Sequence, residues 1–131
     1  MTGNKVAIDT NIAVLLLNGE PIVCRWILSF PKVFLPAAVL GELRCGAAKS
    51  GRPIENHVRI DALFAQCEFL PINEATCRAY ADIRLILKQQ GSPIPENDVW
   101  IAATCIDHSI PLATRDGHMS RVPSLQVLKP E

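Results

Sequence analysis

The chain predicts an α/β fold, a three-layer sandwich in which a mainly parallel sheet of four to five strands is covered by helices on both faces. Two observations lead there. Short apolar runs recur at 6–8, 33–35, 69–72, 110–114 and 126–128, each closed by a turn former or a polar residue. Between them lie longer stretches whose apolar residues return every three or four positions. Strands that alternate with helices of this length describe βαβ units, and such units place helices on both faces of a parallel sheet.

With 131 residues, 49% of them hydrophobic, the chain is long enough to bury one core without disulfide or metal staples. No repeat, linker or low-complexity stretch divides it, so a single domain over 1–131 is expected. The first apolar run, Val6-Ala7-Ile8, stops at Asp9-Thr10-Asn11, all helix-capping types. Ile12 to Leu17 continues as a helix closed by Asn18-Gly19, and Pro21 suits the first turn of a second helix that Phe30-Pro31 ends. After the second strand, Pro36 opens a third helix with Val39, Leu40, Leu43 and Ala47 on one apolar face. Within it Gly46 stands one turn beyond Glu42, where a glycine costs about 1 kcal/mol relative to alanine. Either another helix packs closely there or the space gives access to Glu42.

Ser50-Gly51-Arg52-Pro53 is a turn before a helix over 54–66, whose apolar side is Val58, Ala62, Leu63 and Ala65. Asn73 caps a long helix over 74–90 with Tyr80, Ile83, Leu87 and Cys77 facing inward. The prolines of Ser92-Pro93-Ile94-Pro95 deny helix to the residues before them and deliver Glu96-Asn97-Asp98 to the start of the next helix. The fourth strand ends in Thr114-Arg115-Asp116, and the fifth is an edge strand stopped by Pro130.

Five cysteines at irregular spacing include no Cys-x-x-Cys pair, which argues against a zinc site or a dithiol centre and for reduced packing residues. Thirteen basic residues balance thirteen acidic ones, so a nucleic-acid partner would have to be held by cations gathered near a site. No apolar run approaches the roughly 20 residues of a membrane span, and Met1 to Lys5 lack the plan of a secretory signal. A cytoplasmic protein without membrane contact is expected.

The acids carry the chemistry. Asp9 ends the first strand and Asp116 follows the fourth, which puts both at the carboxyl edge where open α/β sheets keep their sites. Asp98 lies in the first turn of the helix feeding the fourth strand, and Glu42 in the helix after the second. Taken singly, Asp9 and Asp98 are helix caps, Asp116-Gly117 a turn and Glu42 an exposed acid. Together, two unit charges ~4 Å apart repel by about 4 kcal/mol at an effective dielectric near 20. A hard divalent ion with oxygen ligands, Mg²⁺ or Mn²⁺, resolves that repulsion. Asp9, Asp98 and Asp116 are the candidate ligands, with Glu42 either a fourth or the group that orients water. Such a cluster supports phosphodiester hydrolysis with one or two ions. Arg115, His118 and Arg121, beside Asp116, are candidates to grip the flanking phosphates.

Ile8-Asp9-Thr10-Asn11, Val39-Leu40-Gly41-Glu42-Leu43, the run from Pro95 through Asp98 to Thr104, and Leu112 through Asp116 to His118 together resemble the PIN-domain family. Within it the chain is most similar to the VapC-type toxins of bacterial toxin–antitoxin pairs. The resemblance spans essentially the whole chain. It implies a metal-dependent endoribonuclease with Asp9, Glu42, Asp98 and Asp116 as its acidic cluster and Thr10 or Asn11 assisting water or metal. It also implies an RNA substrate, a cognate antitoxin and a homodimer; Trp100 is either core or part of that two-fold interface, and the apolar second helix (Ile22, Trp26, Ile27) is a further candidate for partner contact. One departure stands out: many relatives carry an aromatic after the histidine where this chain has Met119.

Other classes fit less well. A haloacid-dehalogenase phosphatase needs a second acid where Asn11 stands, a response-regulator receiver needs paired acids at the first strand, and a dinucleotide module needs a Gly-rich loop. The remaining alternatives are an RNA-processing nuclease without an antitoxin and a catalytically idle interaction domain of the same fold.

Overall fold

The computed structural model describes residues 3–131. Five strands form one sheet: β1 (Lys5–Ile8), β2 (Lys32–Pro36), β3 (Glu68–Leu70), β4 (Leu112–Ala113) and β5 (Val127–Leu128), in the order β3-β2-β1-β4-β5. Every neighbouring pair is parallel. Helices α1 (Thr10–Leu17), α2 (Pro21–Leu28), α3 (Ala37–Lys49), α4 (Pro53–Gln66), α5 (Glu74–Gln90) and α6 (Glu96–Asp107) connect them, and a 3-10 turn, Gly117–Arg121, follows β4.

Strand β1 is central, and its Val6, Ala7 and Ile8 are fully buried. The register pairs Ala7 with Phe34 on one side and Ile8 with Ala113 on the other. That register brings the ends of β1 and β4 level, so Asp9 and Thr114 emerge side by side. The core gathers around the same strand, with Ile12, Leu35, Val39, Ile101, Leu112 and Met119 among its fully buried large side chains. Helix α6 is the most deeply set, with Val99 and Ile101 to Cys105 all buried. The full burial of Met119 fastens the turn after β4 to the core.

The helix starts follow local chemistry. Asp9 caps α1, its Oδ1 accepting from the Thr10 amide at 2.8 Å, and Glu20 caps α2 through the Val23 amide at 2.7 Å. Asn73 and Thr76 form a reciprocal capping box on α5, which ends at Gly91 with φ +67°, a conformation glycine adopts without the clash a Cβ would cause.

Three sequence expectations change. Helix α4 buries only Ile60 fully, with Asn56, Leu63 and Cys67 half-buried on the same stripe; Val58, Ala62 and Ala65 face solvent. The helix leans on α3 along one edge, where Arg44 and Asp61 pair at 2.6 Å, and its other side is exposed among the described residues. Cys77 is exposed while Thr76 turns inward, its hydroxyl reaching Asp107 Oδ2 at 2.9 Å. Cys45 is exposed as well, so only Cys24, Cys67 and Cys105 act as packing residues; burial pushes the Cys67 thiol up to about 11. On α2, Ile27 packs inward and Trp26 meets Phe30 edge-on, which leaves Ile22 and Leu28 as its exposed apolar residues.

Candidate active site

The innermost part of the site is a knot tied by one hydroxyl. Thr114 Oγ1 donates to Asp9 Oδ2 at 2.7 Å and accepts from the Asn11 side-chain amide at 3.1 Å and from the Asp116 backbone amide at 2.9 Å. A hydroxyl offers one donor and two lone pairs, so Thr114 is used to capacity. Asn11 Nδ2 also reaches Asp9 Oδ2, at 3.2 Å, and Asn11 Oδ1 accepts from the Arg115 amide at 2.9 Å. The carboxyl ends of β1 and β4 are thereby locked together. Sequence reasoning passed over Thr114, whose only signal was a polar residue closing an apolar strand opposite Asp9.

Asp9 is 2% exposed, and burial raises its pKa. Hydrogen bonds from Thr114, the Thr10 amide and Asn11 oppose that rise, while the charge of Asp116 adds to it. Asp98, in the first turn of α6, is pushed up to about 6 by desolvation first and then by the charges of Asp9 and Asp116, with Glu42 contributing least of the three acids. At Asp98 the neighbouring acids therefore add to a rise that desolvation begins.

Asp116 caps the 3-10 turn, its Oδ1 accepting from the His118 amide at 2.9 Å. That turn swings the His118 ring back among the acids. Its Nδ1 lies 3.1 Å from Asp116 Oδ1 and 3.7 Å from Asp98 Oδ2, close but off the line of a hydrogen bond. Ligating atoms of Asp98, Asp116 and His118 all fall within 4.8 Å of one another. His118, expected as a phosphate contact, thus stands beside Asp98 and Asp116 with its ring still partly exposed. Arg115 is exposed, and Arg121 reaches toward the Pro93 carbonyl at 3.5 Å; among the described residues neither pairs with the cluster.

The donor set fits a divalent cation. Two carboxylates and a histidine nitrogen, those of Asp98, Asp116 and His118, face one region, and the charge of Asp9 is felt there; Thr10 Oγ1, next in the chain to Asp9, is buried with no hydrogen-bond partner. A buried hydroxyl left unpaired costs on the order of 1–3 kcal/mol. A cation with its water shell would satisfy it.

Glu42 stands apart, half-buried on α3. It lines two cavities at once: one of about 200 Å³ with Thr10, Asn56 and Arg59, and one of about 470 Å³ with Lys49 and Asn97. Gly46 lines both as well. An added Cβ at Gly46 would meet nothing within 4 Å, so the glycine is not there for close helix packing.

The PIN-domain family model matches residues 6–125. The chain is 30% identical to the VapC ribonuclease Y4jK of Sinorhizobium fredii, over 95% of this chain and 96% of that one. It is 34% identical to the toxin FitB of Neisseria gonorrhoeae, over 85% of this chain and 87% of that one. The crystal structure of VapBC2 from Rickettsia felis bound to a promoter DNA fragment superposes with a TM-score of 0.90 at 25% identity, covering 97% of this chain and 99% of its counterpart. The Asp-Glu-Asp-Asp order read from the sequence, the all-parallel sheet and these likenesses agree: the chain belongs to the PIN-domain family, among the VapC-type ribonucleases.

Proposed function

We propose that the protein is a metal-dependent endoribonuclease that hydrolyses RNA phosphodiesters and serves as the toxin of a toxin–antitoxin pair. The observation that carries this reading is the gathering of Asp98, Asp116 and His118 within 4.8 Å of one another beside buried Asp9. Asp9, Asp98 and Asp116 would hold the cation, Mg²⁺ or Mn²⁺, with His118 within ligating reach of Asp98 and Asp116. When bound, the ion lowers the pKa of an attacking water and neutralises charge on the scissile phosphate. The residues supply position. Thr114 and Asn11 fix the Asp9 carboxylate, and Thr10 Oγ1 is free to bond a water. Glu42, set back from the other acids and open to both cavities, orients the attacking water and takes up its proton. The water oxygen bonds to phosphorus as the opposite P–O bond breaks, and the leaving oxygen departs with the bonding pair and takes a proton from solvent.

The relatives suggest the partners. FitB is a toxin, and the superposable VapBC-5 of Mycobacterium tuberculosis is a member of the VapBC family of toxin–antitoxin systems. A cognate antitoxin has apolar surface to cover: a groove of about 370 Å³ between α2 and α4, lined by Ile27, Leu28, Phe30, Leu63 and Cys67, with Leu28 82% exposed. A homodimer is proposed through α5 and α6, where Tyr80 stacks on half-buried Trp100 at 3.8 Å and Leu85 is exposed. Incubation of total RNA with Mn²⁺, followed by mapping of 5′ ends, tests the activity. Discrete cleavage that EDTA stops is expected, and an RNA pool left intact overturns the reading. Light scattering tests the dimer, which a concentration-independent monomer mass refutes.

A further inference from the structure

Helices α5 and α6 lie side by side in opposite directions, and one face of α5 ties them at both ends. Thr76, Tyr80 and Arg84 follow one another at four-residue spacing on that face. Thr76 reaches Asp107 at the last residue of α6, while Tyr80 and Arg84 reach the first turn, where Asp98 stands. Arg84 Nη1 donates to Tyr80 Oη at 2.8 Å and to Glu96 Oε2 at 2.6 Å, and the Tyr80 hydroxyl donates to Glu96 Oε1. The Tyr80 ring also lies flat on Trp100, with centroids 3.8 Å apart and planes 16° from parallel. Glu96 and Trp100 are themselves four residues apart, so Tyr80 holds one face of the start of α6 at two points. Little else holds it there. Pro95 supplies no side-chain cap, and full burial of α6 begins only at Val99. Arg84 and Glu96 are 53% and 58% exposed, and a pair so wet adds little to stability. What it contributes is geometry.

We infer that Tyr80 is a positioning residue for the cation site: by gripping Glu96 and Trp100 it sets the rotation of the first turn of α6, and with it the direction of Asp98. Successive residues of a helix stand about 100° apart around its axis. Asp98, two residues beyond Glu96 and two short of Trp100, therefore projects from the side opposite their shared face. A face fixed by α5 thus fixes the other, which looks toward Asp116 and His118. With side-chain ends about 5–6 Å from the axis, a turn of about 20° would carry the Asp98 carboxylate about 2 Å. A misplacement of about 1 Å in a reacting constellation can cost on the order of a hundredfold in rate. Tyr80 acts only through α6. The inference rests on the reading of Asp98 as a cation ligand and goes beyond it by naming what aims that ligand.

The test uses Tyr80→Phe, which keeps the stack and deletes the hydroxyl, and Tyr80→Leu, which deletes both, in the full chain. Mn²⁺ binding is measured from the electron paramagnetic resonance of the unbound ion, below the melting temperature of each variant. Affinity should fall about threefold in Tyr80→Phe and about tenfold in Tyr80→Leu, as when the contacts supporting a metal ligand are removed. At saturating Mn²⁺ kcat for RNA cleavage should drop while KM stays within about twofold, the pattern of lost orientation rather than lost substrate binding. Two controls bracket the result. Thr76→Val loosens the other end of the same helix pair, and Leu85→Ala trims the exposed α5 face proposed for the dimer. Thr76→Val should lower the melting temperature. Both should leave Mn²⁺ affinity within about twofold, since neither takes part in the hold on Glu96 and Trp100. Parental Mn²⁺ affinity in either Tyr80 variant overturns the clamp, Tyr80→Phe deciding alone should Tyr80→Leu fail to fold. A loss in either control as large as in Tyr80→Leu also overturns it, because the effect then belongs to general loosening or to the dimer. A parent that binds Mn²⁺ but cleaves no RNA defeats the nuclease reading, and the affinities alone then decide the clamp. A parent that binds no Mn²⁺ defeats both.

Discussion

The two sides of the site are built on opposite principles. On the β1–β4 side, Asp9, Asn11, Thr114 and Asp116 are joined by a closed set of hydrogen bonds, and Asp9 and Thr114 are almost wholly buried. On the α3–α4 side, Glu42 faces two open cavities and Gly46 presents no side chain. A cation needs ligands fixed before it arrives, since each carboxylate left to find its rotamer adds an entropic cost. A polymer needs a passage that admits many sequences. The closed side has the rigidity an ion site needs, and the open side leaves room beside it.

The largest break in this contrast comes from the centre of the closed side. Asp9→Asn keeps the shape and removes one charge, and RNA cleavage at saturating Mn²⁺ should fall on the order of a thousandfold. Single-turnover assays check this, and near-parental activity would remove Asp9 from the chemistry.

Metal removal comes next. Mn²⁺ at ~100 times its dissociation constant should stabilise the folded protein by about 2.7 kcal/mol, on the order of 10 °C in melting temperature, and EDTA should reverse it. The same experiment exposes Asp98. Its pKa is raised from 3.8 to about 6, so over that interval the folded state binds more protons than the unfolded one. The stability this gives metal-free protein is complete below about pH 4 and is lost as pH rises through about 6. Asp98→Asn should flatten that decline, raise the metal-free melting temperature at pH 7, and shrink the Mn²⁺ shift. Asparagine replaces aspartate near a helix start at little cost. A lower melting temperature with an unchanged Mn²⁺ shift would mean that these acids do not act as a cluster.

Thr114→Val keeps volume and deletes the hydroxyl at the centre of the knot. It should cost about 1–3 kcal/mol in urea unfolding, because Asp9 and Asn11 lose a partner in a buried setting. Mn²⁺ affinity should fall with it, since Asp9 is no longer held. A neutral result would show that Asn11 alone fixes Asp9.

The smallest effect is expected far from both sides. Arg78 and Glu74 pair at 2.8 Å on α5 but are 80% and 75% exposed. Arg78→Ala should change stability by no more than about 0.5 kcal/mol and leave metal binding untouched. It sets the scale against which the Thr114 result is judged.

What the sequence by itself determined was everything carried by local pattern. Apolar runs, prolines and capping residues placed the strands and helices, because each depends on neighbours within a turn or two. The Asp9, Asp98 and Asp116 positions followed from where those elements begin and end, and Glu42 from its place in the helix after β2. Tertiary structure alone decided what lies between elements. Thr114 and Asp9 are 105 residues apart, and only the pairing of Ile8 with Ala113 sets them side by side. His118 joins the acids because a 3-10 turn capped by Asp116 reverses the chain, a contact that no spacing encodes. The apolar pattern of α4 misled for the same reason: hydrophobic period says which face is apolar, but only the packing of α3 decides which face is covered. Gly46 shows both halves at once. Its helical position was plain from the sequence, and its open face required the walls of α4 and α6 around it.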